Sequence, residues 1–261
     1  MARRLIDQNR AREARRQGAL LDRLEVGFRN RIRAEIARAM GEMITVYELT
    51  GDVPPARDHL ENIEAIFRAM AIAAATTFGA RIIDQGKGSG YPLEIKGFAE
   101  TMARLALSYV AGELIRRRIV SIAETTRNQI VAAVARGYAD GLGVAEIGKG
   151  IRERVGEFST YRAELIARTE THGAANFGAQ EAAKETGLEL RREWVSADDA
   201  RTRDDHKQAG IDYSEGGTPG PVGMDEPFIV GGEALMYPGD PAGPPEQTIN
   251  CRCAVAFLTV D

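Results

Sequence analysis

The sequence predicts an α+β protein: a predominantly helical N-terminal region of long helices, forming an arm or bundle, followed by a small α+β C-terminal module with long Gly/Pro-rich loops. Three observations carry that prediction. From Arg3 to about Leu49 there is no proline, and Leu20, Leu24, Phe28, Ile32, Ile36 and Met40 recur every four residues as one apolar helix stripe. After Gly187 the run LELRREWV alternates apolar and polar residues, as a strand does. Between Ala209 and Pro245, 16 of 37 residues are Gly or Pro, a density that excludes helix there.

Thr50, Gly51, Pro54 and Pro55 end the first helix. A second is expected from near Asp58 through Ile63, Ile66, Phe67 and Met70 to about Gly79, and the stretch from Asp84 to Pro92, with Gly86, Gly88 and Gly90, reads as a loop. Helical patterns return from Phe98 to Arg117 and from Ile119 to Tyr138, the latter with a face of Ile119, Ile122, Thr126, Ile130, Val134 and Tyr138. Gly141 and Gly143 suit a C-cap, and Val144 to Val155 suits one more short helix. Ser159 is placed to cap a helix from Tyr161 to Thr186, and short strands fit at 228–230, 234–237 and 253–258. The division expected is therefore a basic amphipathic helical arm (1–50), a helical region (51–156) and an α+β module (157–261).

With 261 residues, 44% hydrophobic and 28% charged, the chain has globular composition, neither disordered nor collagenous. Its net charge of −4 conceals an asymmetry: residues 1–40 hold 11 Arg against 5 Asp/Glu, the remainder 23 Lys/Arg against 33 Asp/Glu. Arg3, Arg4, Arg10, Arg12, Arg15 and Arg16 are thus candidates for contact with double-stranded DNA, which would be salt-dependent; a solvated face or a segment docking on an acidic protein is the other reading. The basic N-terminus lacks the apolar core of a secretory signal, and the most apolar stretches, around 69–75 and 130–134, fall short of the roughly 18 residues a membrane span needs. A protein made in the cytoplasm with no membrane partner is expected.

Four clusters in the last hundred residues carry the chemistry: Ala167-Arg168-Thr169-Glu170-Thr171; Trp194-x3-Asp198-Asp199-x-Arg201-x-Arg203-x2-His206; Phe228 to Asp240 (FIVGGEALMYPGD); and Asn250-Cys251-Arg252-Cys253. Cys251 and Cys253 offer two soft ligands and His206 a third, a set suited to Zn²⁺, with Asp205, His172 or water as the fourth. The competing reading has one cysteine packed inward on a strand, the other facing out, and His206 in ordinary hydrogen bonds. Arg168 can bridge to Asp198 or Asp199 and lock its helix to the strand that ends near Trp194. Alternatively Arg168, Glu170 and His206 line a pocket for phosphate or acid–base chemistry. Gly231-Gly232 and Tyr237-Pro238-Gly239-Asp240 lack the Lys of a phosphate-binding loop and read as turns.

In their order and spacing these clusters resemble the phage Mu F-like minor head proteins, a family also found fused to portal proteins and to some toxins. The resemblance covers about residues 125 to 258, including TTRNQIVAAVARGYADGLGVAEIGKGIRERV. It implies a structural, non-enzymatic role in head morphogenesis, with incorporation into the procapsid near the portal vertex. The partners it implies are the portal protein, the major capsid or scaffold protein, and packaged DNA. The location it implies is the capsid interior or portal vertex, after assembly in the host cytoplasm. Two rivals are kept: an RNase-like nuclease or ADP-ribosyltransferase, by fold-level analogy, and a DNA-binding ejection protein acting through the basic arm.

Overall fold

The computed structural model describes residues 10–260. Five helices come first: α1 (Arg10–Thr50), α2 (Arg57–Gly88), α3 (Phe98–Ala111), α4 (Glu113–Ala139) and α5 (Val144–Glu185). They are followed by β1 (Leu190–Val195), α6 (Asp204–Asp212), β2 (Val222–Gly223), β3 (Phe228–Val230), β4 (Glu233–Leu235), α7 (Pro245–Thr248) and β5 (Ala254–Thr259). The class is α+β, with the strands confined to the C-terminal region.

Helix α6 runs to Asp212 and α7 starts at Pro245, so both ends of the stretch 209–245, where Gly/Pro density was expected to exclude helix, are helical; three further helix boundaries also differ from expectation. The loop expected from Asp84 begins only at Ser89, because α2 runs on through Gly86 to Gly88. A helical glycine costs about 1 kcal/mol, whereas burying Ile82 and Ile83 returns roughly 1.5–3 kcal/mol each. Ser159 caps nothing: its hydroxyl donates to the Gly156 carbonyl at 3.2 Å inside α5, a continuous helix of 42 residues. The break expected near Arg118 falls instead at Gly112, whose extended backbone (φ −61°, ψ 144°) precedes α4.

The chain forms two compact units, each discontinuous in sequence. One comprises Val26–Arg68 and Val110–Ala167 and is all helical. Its core holds Phe28, Ile32, Ile36 and Met40 of the predicted stripe, then Met43, Ile44 and Tyr47. A four-residue repeat drifts around a helix of 3.6 residues per turn, so the buried line leaves the strict spacing at Met43. From α4, Ile115, Ile119, Ile130 and Val134 are buried, while Tyr138 is exposed. Gly137 occupies the inward position there, where a Cβ would lie 2.4 Å from Ile147. The half-buried Arg162 guanidinium donates to Thr126 Oγ1 (2.7 Å) and to the Ile122 carbonyl (3.0 Å).

The other unit comprises residues up to Glu25, Ala69–Tyr109 and Arg168–Asp261. Within it α2 and α5 approach closely enough that a Cβ on Gly178 would sit 2.3 Å from the Ala75 Cα. By length and composition the span His59–Gly88 would suffice to cross a membrane, which the sequence reading did not expect. Half of its most apolar window is buried in the protein.

A three-stranded antiparallel sheet has the order β2-β1-β5, with Leu190 opposite Thr259 and Val195 opposite Ala254. A separate hairpin pairs β3 with β4 around Gly231-Gly232, both at positive φ (60° and 85°), the backbone a two-residue hairpin turn requires. Leu190, Arg192 and Trp194 share one face of β1, and all three are buried. Arg192 is accommodated there because its guanidinium meets Gln180 Oε1 (2.8 Å), the Gly223 carbonyl (2.8 Å) and the carbonyls of Met236 and Glu226. Burial nonetheless pulls its pKa down to about 10.

Candidate metal centre

The second and fourth clusters converge in this second unit. The segment Cys251–Cys253 leads directly into β5, and its two cysteines turn to the same side. Both cysteines are consequently buried, at 2% and 1% exposure, and Arg252 between them turns away to pair with Asp199 at 3.0 Å. This overturns the expectation that one cysteine faces out. Asn176 of α5 fixes the segment: its Nδ2 donates to the carbonyls of Cys253 (3.0 Å) and Pro238 (2.9 Å), and its Oδ1 accepts from the Val255 N–H (3.1 Å). Thr169 Oγ1 accepts from the Asn250 N–H at 3.1 Å, so the first cluster anchors the fourth.

His206, in the short helix α6, faces both thiols: Nδ1 lies 3.4 Å from Cys253 Sγ and 3.6 Å from Cys251 Sγ. The three donor atoms all lie within 4.8 Å of one another. Nε2 lies 2.9 Å from Gln247 Oε1, and Gln247 Nε2 donates to Asp205 Oδ2 at 3.2 Å. A carboxylate only accepts, so the Gln247 amide is oriented with Oε1 toward the ring, which puts the imidazole proton on Nε2 and the lone pair of Nδ1 toward the sulfurs. Trp194 packs edge-on against the ring at 5.3 Å, and Phe228 and Tyr213 continue the aromatic wall. The hydrogen bond from Cys251 pulls the Cys253 thiol down to about 5; that same bond and burial push Cys251 up.

A cavity of about 260 Å³ adjoins the three side chains, and Arg168, Arg201, Arg203 and Arg252 contribute to its wall together with Asp199 and Asn250. Arg168 pairs with Glu25 at 3.2 Å, where Asp198 or Asp199 was expected; Asp199 is taken by Arg252. Asp198 is exposed in the turn after β1, at φ 53°. Of the candidate acid–base set, Arg168 and His206 reach this cavity, whereas Glu170 is buried and absent from its wall. Neither fourth ligand named from sequence joins the cluster: Asp205 holds Gln247, and His172 lies outside the group of close donors. Arg3 and Arg4 lie outside the described residues, and the side chains of Arg10, Arg12, Arg15 and Arg16 are likewise not described.

The roles of Asn176, Gln247 and Gly231 at the site were not foreseen from sequence. Gln247 sits in a Pro-rich stretch where nothing marks it as a partner of His206. Gly231, assigned to a turn, also clears space for the relay, since a Cβ there would lie 2.2 Å from Gln247 Nε2 and 2.6 Å from Asp205 Oδ2.

Residues 128–256 match the family described as phage Mu protein F like protein. This segment is Mu F-like. The matched segment contains the four clusters, which from Arg168 onward lie within one compact unit. The chain is also 29% identical over 147 residues to an NAD(+)–arginine ADP-ribosyltransferase EFV of Enterococcus faecalis. That match takes in 55% of this chain but only 28% of the relative. No solved structure matches it.

Proposed function

We propose that this protein is a minor structural component of the phage head, taken into the procapsid at or near the portal vertex through contacts with the portal, capsid or scaffold protein. The observation that carries the reading is the coincidence of the Mu F-like segment with a module whose polar residues are used internally: Arg192, Asn176, Thr169 and Gln247 each bind a distant backbone or side chain. Such a module is built for rigidity, as a component of an assembled shell requires. Contact with packaged DNA is proposed for the basic N-terminal stretch, upstream of Gln17 and Leu21, where α1 is already buried.

The transferase reading is the rival, and it rests on the enterococcal relative. We assign the shared segment to the head module and the transferase activity to the larger part of that relative lying outside the match. In this chain both ring nitrogens of His206 are engaged and Glu170 is not in the cavity wall, which disfavours an acid–base pair.

The test is expression from an infecting or induced phage with an epitope tag, followed by sedimentation of procapsids and filled heads. The chain should travel with heads at a few copies each, and a variant lacking residues 1–16 should show weaker, less salt-dependent DNA retardation. A protein that remains entirely at the top of the gradient would overturn the structural role, and arginine ADP-ribosylation by the purified chain would favour the rival.

A further inference from the structure

We propose that Cys251, Cys253 and His206 bind one Zn²⁺ through two thiolates and Nδ1, and that the fourth coordination position opens onto the arginine-walled cavity, where it takes a phosphate oxyanion. Around a tetrahedral zinc, bonds of about 2.3 Å to sulfur and about 2.05 Å to nitrogen set sulfur–nitrogen edges of about 3.6 Å. The sulfur–nitrogen separations of 3.4 and 3.6 Å in the structure lie close to that value. The imidazole is already in the tautomer a metal needs, because its other nitrogen is held by Gln247, itself held by Asp205. This is the supporting arrangement that orients metal-bound histidines.

The donor set is incomplete as a closed structural site. Among the described residues no fourth His, Cys or carboxylate belongs to the cluster, and all three ligand residues border the same cavity. Three protein ligands and one exchangeable position is the open form of a zinc site. A Zn²⁺ with two thiolates is neutral in sum, so the sign of the cavity is set by its walls. Four arginines stand there against Asp199, with Glu25 paired to Arg168 behind them. The excess is positive, and guanidinium groups match the geometry of phosphate oxygens. Zinc would also tie the long Gly/Pro-rich segment to the body at both of its ends, His206 before it and Cys251 after it.

The experiment uses the full chain, purified under reducing conditions without chelator. Elemental analysis should give about one zinc per chain, and exchange for Co²⁺ should produce thiolate-to-cobalt charge transfer with the intense visible bands of tetrahedral cobalt. Cys253→Ser and Cys251→Ser should each lose the metal; because each variant also alters a buried side chain, the wild-type cobalt spectrum is the deciding measurement. Inorganic phosphate added to the cobalt protein should shift the visible bands, and Arg201→Ala with Arg203→Ala should weaken that response several-fold while leaving the metal in place. A DNA duplex with 5′-phosphates, compared with the same duplex lacking them, distinguishes a nucleic-acid terminus from free phosphate as the source. Wild-type protein that binds neither metal overturns the site. Metal binding with a spectrum indifferent to both phosphate sources overturns the open position.

Discussion

The Nε2–H of His206 donates to Gln247 Oε1 at 2.9 Å, and this single bond decides which ring nitrogen faces the two thiols. Replacing Gln247 with Leu removes the acceptor and leaves a buried imidazole N–H without a partner. The expected cost is about 1–3 kcal/mol in urea unfolding of metal-free protein. Zinc affinity, measured against a chromophoric chelator, should fall roughly 10–100-fold. Unchanged values for both would mean that the ring orientation is fixed elsewhere.

Gly231→Ala and Gly232→Ala form a controlled pair. Both glycines have positive φ, but only at position 231 would the added methyl strike Gln247 and Asp205; at 232 nothing lies within 4 Å. Gly232→Ala should cost about 1 kcal/mol from backbone strain alone, and Gly231→Ala should cost about 1–3 kcal/mol more through overpacking. Equal losses in thermal denaturation would show that the relay is not crowded at Gly231.

Arg192→Met should be among the most damaging changes in the C-terminal unit. It strands the carbonyls of Gly223, Met236 and Glu226 and the buried Gln180 amide, so a loss of about 3 kcal/mol is expected. Arg192→Lys keeps the charge but cannot reach all four acceptors with one ammonium, and should recover only part of the loss. Chemical denaturation of both variants gives the comparison.

His172 supplies an acid-sensitive term. Burial, with Arg252 and Arg168 nearby, lowers its pKa from 6.5 to about 3, so the folded protein holds it neutral where the unfolded chain would protonate it. The unfolded state therefore binds more protons below pH 6.5, and stability falls as pH drops from 6.5 toward 3, by at most roughly 1.4 kcal/mol per pH unit from this group. His172→Gln should flatten the pH dependence of the unfolding midpoint across that window. An identical slope in the variant would remove His172 as its source.

The helical region was legible wherever one periodic face dominated, as in the stripe from Phe28 to Met40. It was misread where glycine or serine suggested a stop, at Gly86 and Ser159, because burial of the flanking Ile82 and Ile83, or of Ile151 and Ala163, outweighs local propensity. The strands at β1 and β3 followed from alternation and turn chemistry. The ligand set His206, Cys251 and Cys253 was readable from residue type alone, whereas its supports were not. Gln247, Asn176 and Arg192 act across 41, 77 and 44 residues of sequence, and nothing local encodes such a pairing. Arg192 did leave one trace, a charged residue between Leu190 and Trp194 on the inward face of an alternating strand.

The central claim is that two thiolates and one imidazole converge on a single metal position in the C-terminal unit. X-ray absorption at the zinc edge of the wild-type protein tests it most directly. The account predicts two sulfur scatterers at about 2.3 Å with two nitrogen or oxygen scatterers near 2.0–2.1 Å. A zinc edge whose first shell is nitrogen and oxygen alone, or no zinc edge at all, would contradict it.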